Sequence, residues 1–138
     1  MHGSVAVTYW GLDAALTQAL KRAAASQHFV QGLEQIDEFL TKEAKGLRML
    51  QEKTGQAEVH RLSRLLLLTN DGSDRFYHNV ESVLQAHRNR TWGVMIAASA
   101  EVLGKLTTPK GSPVKALLIA DRKALELFLA ECRPAAKA

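Results

Sequence analysis

"LLLLTNDGSD", Leu65 to Asp74, decides how this chain is read. Four consecutive leucines do not fit the three- and four-residue spacing of an amphipathic helix, and the run is too short for a buried helix of ordinary length. A cluster of Thr, Asn, Asp, Gly and Ser, residue types that favour turns, closes it on the right. The combination predicts a central strand buried on both faces, ending in a turn and a helix cap. Two segments of the same kind follow, "GVMIAA" at 93–98 and "VKALLIAD" at 114–121. Near-continuous apolar runs are those of strands covered on both sides, as in parallel α/β sheets.

Helical patterns flank these runs. "DRFYHNVESVLQAHRN" places Phe76, Val80, Val83, Leu84 and His87 on one side, with Ser73 or Asp74 as N-cap. "SAEVLGKLT" predicts a short helix capped by Ser99, and "DRKALELFLAEC" a last helix capped by Asp121. Upstream, "LDAALTQALKRAAAS" sets Leu12, Leu16 and Leu20 one turn apart. From Val30 a longer pattern runs through Leu33, Ile36, Phe39, Leu40, Ala44, Leu47 and Leu50, and the glycine of "KTGQ", Gly55, is placed to end that helix. Its polar face, with Glu34, Asp37, Glu38, Lys42, Glu43, Lys45 and Arg48, is expected to be solvated. Strand and helix alternate, which predicts an α/β fold: a three-layer α/β/α sandwich, one domain over 1–138.

At 138 residues the chain is long enough to bury a core without disulfides or a metal. Cys132 is the only cysteine, so no disulfide framework or Cys-pair zinc motif exists, and its apolar helical setting predicts a packing role. No apolar run approaches the ~20 residues of a membrane span, and "MHGSVAVTYWG" lacks a charged segment followed by an apolar one. The expectation is a soluble protein with no membrane partner, cytoplasmic or organellar (mitochondrial).

Enzyme signatures are missing. No G-x-G-x-x-G follows a strand, and neither a phosphate-binding G-x-x-x-x-G-K-[ST] nor a G-x-S-x-G elbow occurs. The histidines at 2, 28, 60, 78 and 87 show no metal-ligand spacing, so neither metal nor cofactor is expected. Asp71 and Asp74 form the one acid–base candidate, but a turn and a helix cap use the same residues for backbone reasons. The net charge of +4 favours a polyanionic partner. The loop "TTPKGSPVK", with Lys105 just before it and Lys110 and Lys115 within it, suits phosphates through backbone N–H groups and ammoniums.

The serial order of segments resembles the superfamily of the large-subunit ribosomal proteins L-seven-Ae and L-thirty-e, with their bacterial relatives. "ALTQALKRAAASQHFVQGLEQIDEFL" is similar to that family's opening helix, short link and Gly-led second helix. "HRLSRLLLLTNDGSD" resembles its basic approach to an apolar strand with an Ala-Asn-Asp-Ala-Ser-like ending, "SAEVLGKLT" its Leu-Gly helix, and "VKALLIAD" its final strand. The resemblance implies an α/β/α sandwich and RNA binding without catalysis, often at kink-turns. It implies that the Gly-led helix start and the loop after the Leu-Gly helix meet the RNA. Gly32 then matches the motif glycine, Glu34 stands where Asn or Lys is usual, Gln35 where Glu or Gln is usual, and Glu38 replaces a Lys. Two carboxylates on that stretch oppose the helix-terminus attraction for phosphate. About twenty extra residues, roughly 41–60, extend the second helix with Lys42, Lys45, Arg48 and Lys53.

The expected RNA-binding set is therefore Gln31, Gly32, Glu34, Gln35, Arg61, Arg64, Lys105, Lys110 and Lys115. The expected partners are structured RNA, ribosomal by the resemblance, and neighbouring proteins of a ribonucleoprotein assembly. Two rivals stand beside this: a protein–protein scaffold that has lost RNA binding to Glu34 and Glu38 and docks through its long second helix, and a small-molecule enzyme centred on Asp71 and Asp74.

Overall fold

The four leucines divide strictly by parity. The computed structural model describes residues 8–26, 29–55, 63–88 and 90–132. In it Arg64–Leu68 is a strand at the centre of a five-stranded sheet, and Leu65, Leu66, Leu67 and Leu68 are all 0% exposed. Leu65 and Leu67 enter one apolar cluster, Leu66 and Leu68 the other. Side chains alternate across a sheet, so only a strand covered on both sides turns four adjacent leucines into core.

The elements are β1 (Thr8–Trp10), α1 (Ala14–Ala25), β2 (Phe29–Gln31), α2 (Leu33–Thr54), β3 (Arg64–Leu68), α3 (Asp74–Ala86), β4 (Thr91–Ile96), α4 (Ala100–Thr107), β5 (Ala116–Ile119) and α5 (Arg122–Glu131). The sheet order is β1-β4-β3-β5-β2. One cluster joins the sheet to α1, α4 and α5 through Leu16, Leu20, Leu103, Leu125 and Phe128. The other joins it to α2 and α3 through Ile36, Leu40, Val80 and Leu84. This is the expected three-layer α/β/α sandwich. Burying one leucine side chain contributes about 1.5–3 kcal/mol, so the two faces of β3 anchor both layers.

Capping follows the sequence closely. Asp13, Ser73, Ser99 and Asp121 accept from the third residue of α1, α3, α4 and α5 respectively. Gly55 closes α2 in the left-handed region at φ 72°, and its N–H bonds the Gln51 carbonyl.

Three expectations change. The segment around Val30 is a strand, and the second helix starts at Leu33; β2 pairs antiparallel with β5, Val30 opposite Leu118. The sheet is mixed: β3 runs parallel to β4 and antiparallel to β5. The polar face of α2 is only partly solvated. Glu43 holds Arg64 and Arg90 across to the sheet layer, and Asp37 lies 3.1 Å from Nε2 of the buried His87.

Strand direction sets up the rest. β1, β3 and β4 are parallel, and β2 joins them in direction because it and β3 both oppose β5. Each of these four strands leads into a helix, so the N-termini of α1 to α4 gather at one end of the sheet, together with the segment that enters β5. The N-terminus of α5 lies at the other.

Candidate functional site

Four helix starts gathered at one end concentrate unpaired N–H groups and the positive poles of four dipoles. Three are satisfied within the chain. Asp13, Ser73 and Ser99 cap α1, α3 and α4, and the Asp71 carboxylate also accepts from Ala100 N–H, at 3.1 and 3.2 Å. α2 differs: its N-cap is Gly32, at φ 87° and ψ 133°, with no side-chain cap.

Gly32 is tied to its neighbours by backbone. Its N–H donates to the Ala116 carbonyl at 3.1 Å, which sets the start of α2 directly beside the start of β5. The exposed Gln35 side chain folds back over Gly32: a methyl group there would lie 2.6 Å from Gln35 Oε1. Gln31 and Glu34, both exposed, flank this turn on either side.

The loop from Thr108 to Lys115 forms the second half of the site. Gly104, inside α4, lets it come close, since a methyl there would overlap the Ser112 carbonyl. Val114 N–H donates to Ala100 O at 2.9 Å, Thr108 Oγ1 to Gly104 O at 2.8 Å, and Gly111 takes φ 71° to complete the turn. Lys110 and Lys115 are exposed, and Lys115 Nζ lies 5.8 Å from the centroid of the Phe76 ring. Lys105 is 3.4 Å from Glu101, with both side chains largely exposed, a pair worth little in water.

The end of β3 fixes the remaining wall. Tyr77 Oη donates to Thr69 O at 2.7 Å and accepts from Gly72 N–H at 2.9 Å, while Thr69 N–H bonds Lys115 O at 3.0 Å. Asn70 donates to Tyr9 Oη at 3.3 Å. The stretch "TNDG" is thus a brace between α3, α4 and β5, with Asp71 serving the α4 terminus rather than its own.

The structure brings together seven of the nine expected residues at this end: Gln31, Gly32, Glu34, Gln35, Lys105, Lys110 and Lys115. Arg61 lies outside the described residues. Arg64 opens β3 at the opposite end, where its Nε and Nη2 donate to Glu43 at 3.1 and 2.5 Å and its side chain is 15% exposed. Among the described residues no group of His, Cys, Asp and Glu is arranged to hold a metal. No helix there is long and apolar enough to cross a membrane. Cys132 is fully buried, and burial pushes its thiol up to about 11, away from nucleophilic chemistry.

Sequence reasoning missed the contributions of Glu43, Tyr77 and Arg90. Each bonds partners that no local pattern announces. Gly104 did leave a signal, since a glycine inside a helix costs about 1 kcal/mol relative to alanine and asks for a packing reason.

No family model and no curated protein sequence matches the chain. Among solved structures it is similar to a protein of unknown function from Bacillus halodurans, 14% identical, over 88% of this chain and 99% of that one, with a TM-score of 0.58. It is also similar to the Giardia lamblia 15.5kD RNA binding protein, 20% identical, over 89% of this chain and 86% of that one, with a TM-score of 0.49. At 14% identity the first likeness speaks for the fold alone.

Proposed function

We propose that the chain binds structured RNA with the end of the sheet at which α2 begins, as a component of a ribosome or another ribonucleoprotein particle. The observation that carries this reading is the bond from Gly32 N–H to Ala116 O, which holds the one described helix start without a side-chain cap against the segment bearing Lys110 and Lys115. Free first-turn N–H groups and the helix dipole attract phosphate, and ammoniums add counterion release. The carboxylates of Glu34 and the exposed Glu38 repel a backbone laid along α2. The phosphate path therefore runs from the Gly32 turn towards Lys110 and Lys115. The partly buried Phe76 under Lys115 gives a base an aromatic edge to approach. The ordered resemblance of the sequence segments to the L-seven-Ae and L-thirty-e superfamily points the same way.

The test is affinity for a structured RNA with an internal loop, measured across a salt series. Binding should weaken steeply with salt, and Lys110→Gln with Lys115→Gln should flatten the slope by roughly 2, at about 0.9 for each phosphate no longer neutralised. Absence of binding at low salt, or a slope unchanged by the two substitutions, would overturn the reading.

A further inference from the structure

The core-facing stripe of α2 outlasts the sheet it covers. Leu33, Ile36, Leu40, Leu47 and Leu50 recur on one side of the helix, as the 3.6-residue repeat requires. Ile36 and Leu40 are fully buried, whereas Leu47 and Leu50 are 42% and 52% exposed. A 22-residue helix is about 33 Å long, and the five-residue β3 only about 17 Å, so the last turns overhang.

Under the overhang lies a groove of about 490 Å³, lined by Leu47 and Leu50 together with Glu43, Arg64, Arg90 and Arg122. Among the described residues its charge does not balance. Glu43 is shared by Arg64 and Arg90, whose side chains are 15% and 13% exposed. A surplus positive charge therefore sits where solvent screens it poorly. Arg122 adds a third guanidinium, held among the described residues by an exposed pair with Glu126 at 3.5 Å. Of the five N–H donors on a guanidinium, the described bonds use three on Arg64 and two on Arg90, which leaves donors for another acceptor.

We propose that this groove docks an acidic segment of a partner protein, with a carboxylate among Arg64, Arg90 and Arg122 and apolar side chains on Leu47 and Leu50. Leucines offer nothing to a phosphate backbone, and among the described residues no aromatic ring lines the groove on which a base would stack. A second copy, presenting the same patch across a two-fold axis, would set arginine against arginine. The groove lies at the end of the sheet remote from Gly32, so an RNA bound there leaves it free. This docking surface does not depend on the RNA reading.

Two synthetic helical peptides test it. Both carry leucines one turn apart; one has Glu at the flanking positions, its twin Lys. Titrated into the isotopically labelled full chain, the Glu peptide should shift the amide resonances of Leu47, Leu50, Ser63, Arg64 and Arg90, and the Lys twin should bind roughly tenfold or more weakly. Leu50→Ser and Arg122→Glu, each first shown to melt as the parent does, should each weaken the Glu peptide by about tenfold. Equal affinity for the twins, no binding of the Glu peptide, shifts outside the groove, or indifference to both substitutions would overturn the proposal. So would a hairpin RNA that shifts the groove residues in place of those near Gly32 and Lys110.

Discussion

Glu43→Gln removes one charge from the junction between α2 and the sheet and keeps the side chain's shape. Three N–H donors converge on this carboxylate: Arg64 Nε at 3.1 Å, Arg64 Nη2 at 2.5 Å and Arg90 Nη1 at 2.8 Å. Taken separately, hydrogen bonds to charged groups contribute about 1.5–3 kcal/mol each, but bonds to one acceptor do not add, and Glu43 is 23% exposed. Removing one partner of a fully buried pair costs about 3–5 kcal/mol, and an exposed pair is worth about 0–1 kcal/mol. Side chains exposed by 15% and 13% lie nearer the buried limit, and solvent at Glu43 discounts it. The expected loss is about 2 kcal/mol, or about 6–10 °C in melting temperature for a chain of this size. Urea titration gives the stability change, and a cycle combining Glu43→Gln with Arg90→Gln should return a coupling of about 1 kcal/mol. A loss below about 0.5 kcal/mol would refute the reasoning, because the cluster would then behave as an ordinary surface bridge.

Tyr77→Phe strips the hydroxyl that joins Thr69 O to Gly72 N–H, and should cost about 1–3 kcal/mol in urea titration, with an unchanged midpoint refuting the brace at the end of β3. Gly32→Ala forces a side chain into φ 87°, and should lower stability by about 1–3 kcal/mol; a neutral result would mean that the α2 start relaxes to an ordinary cap. Cys132, its thiol raised from 9.0 to about 11, should react at pH 8 roughly a hundredfold more slowly in the folded chain than in the unfolded one, because the thiolate fraction falls tenfold per unit. The linkage has one sign: the folded state keeps its proton longer, so this group's contribution to stability declines as pH climbs from 9.0 to about 11, and equal alkylation rates would refute its burial.

Local chemistry was legible and pairing was not. The β3 leucines, the caps at Ser73, Ser99 and Asp121 and the left-handed Gly55 are all decided within four residues of themselves, and each appears where the sequence puts it. β1 and β2 have three residues each, and they owe their existence to partners far along the chain: Trp10 opposite Ile96, and Phe29 opposite Ile119. Val30 fits a helical stripe as well as it fits a strand, and only the β5 edge resolves it. The same distance problem hid Glu43. On a helical wheel it reads as one more solvated acid, until β3 and the turn before β4 deliver Arg64 and Arg90 to it. At the candidate site, Gly32 and the Lys110 loop were legible as separate turns. Their adjacency needed the antiparallel β2–β5 pair, which no spacing announced.

The direction of one strand divides the molecule chemically. Because β5 alone runs against the others, it brings its preceding loop to the end where four helices start, and sends α5, with Arg122, to the other. One end therefore carries helix dipoles and exposed ammoniums, and the other arginines gathered on a single carboxylate beside exposed leucines. α2 spans both, from Gly32 to Leu50, as a continuous hydrogen-bonded rod. Two sites more than about 10 Å apart with no shared partner act additively within about 0.5 kcal/mol. Lys110→Gln and Arg122→Glu, combined in one chain, should thus shift RNA affinity and acidic-peptide affinity each by its own single-variant amount. A double variant whose peptide affinity fell further when RNA was bound would show that α2 transmits strain between the ends, and that the two surfaces work as one.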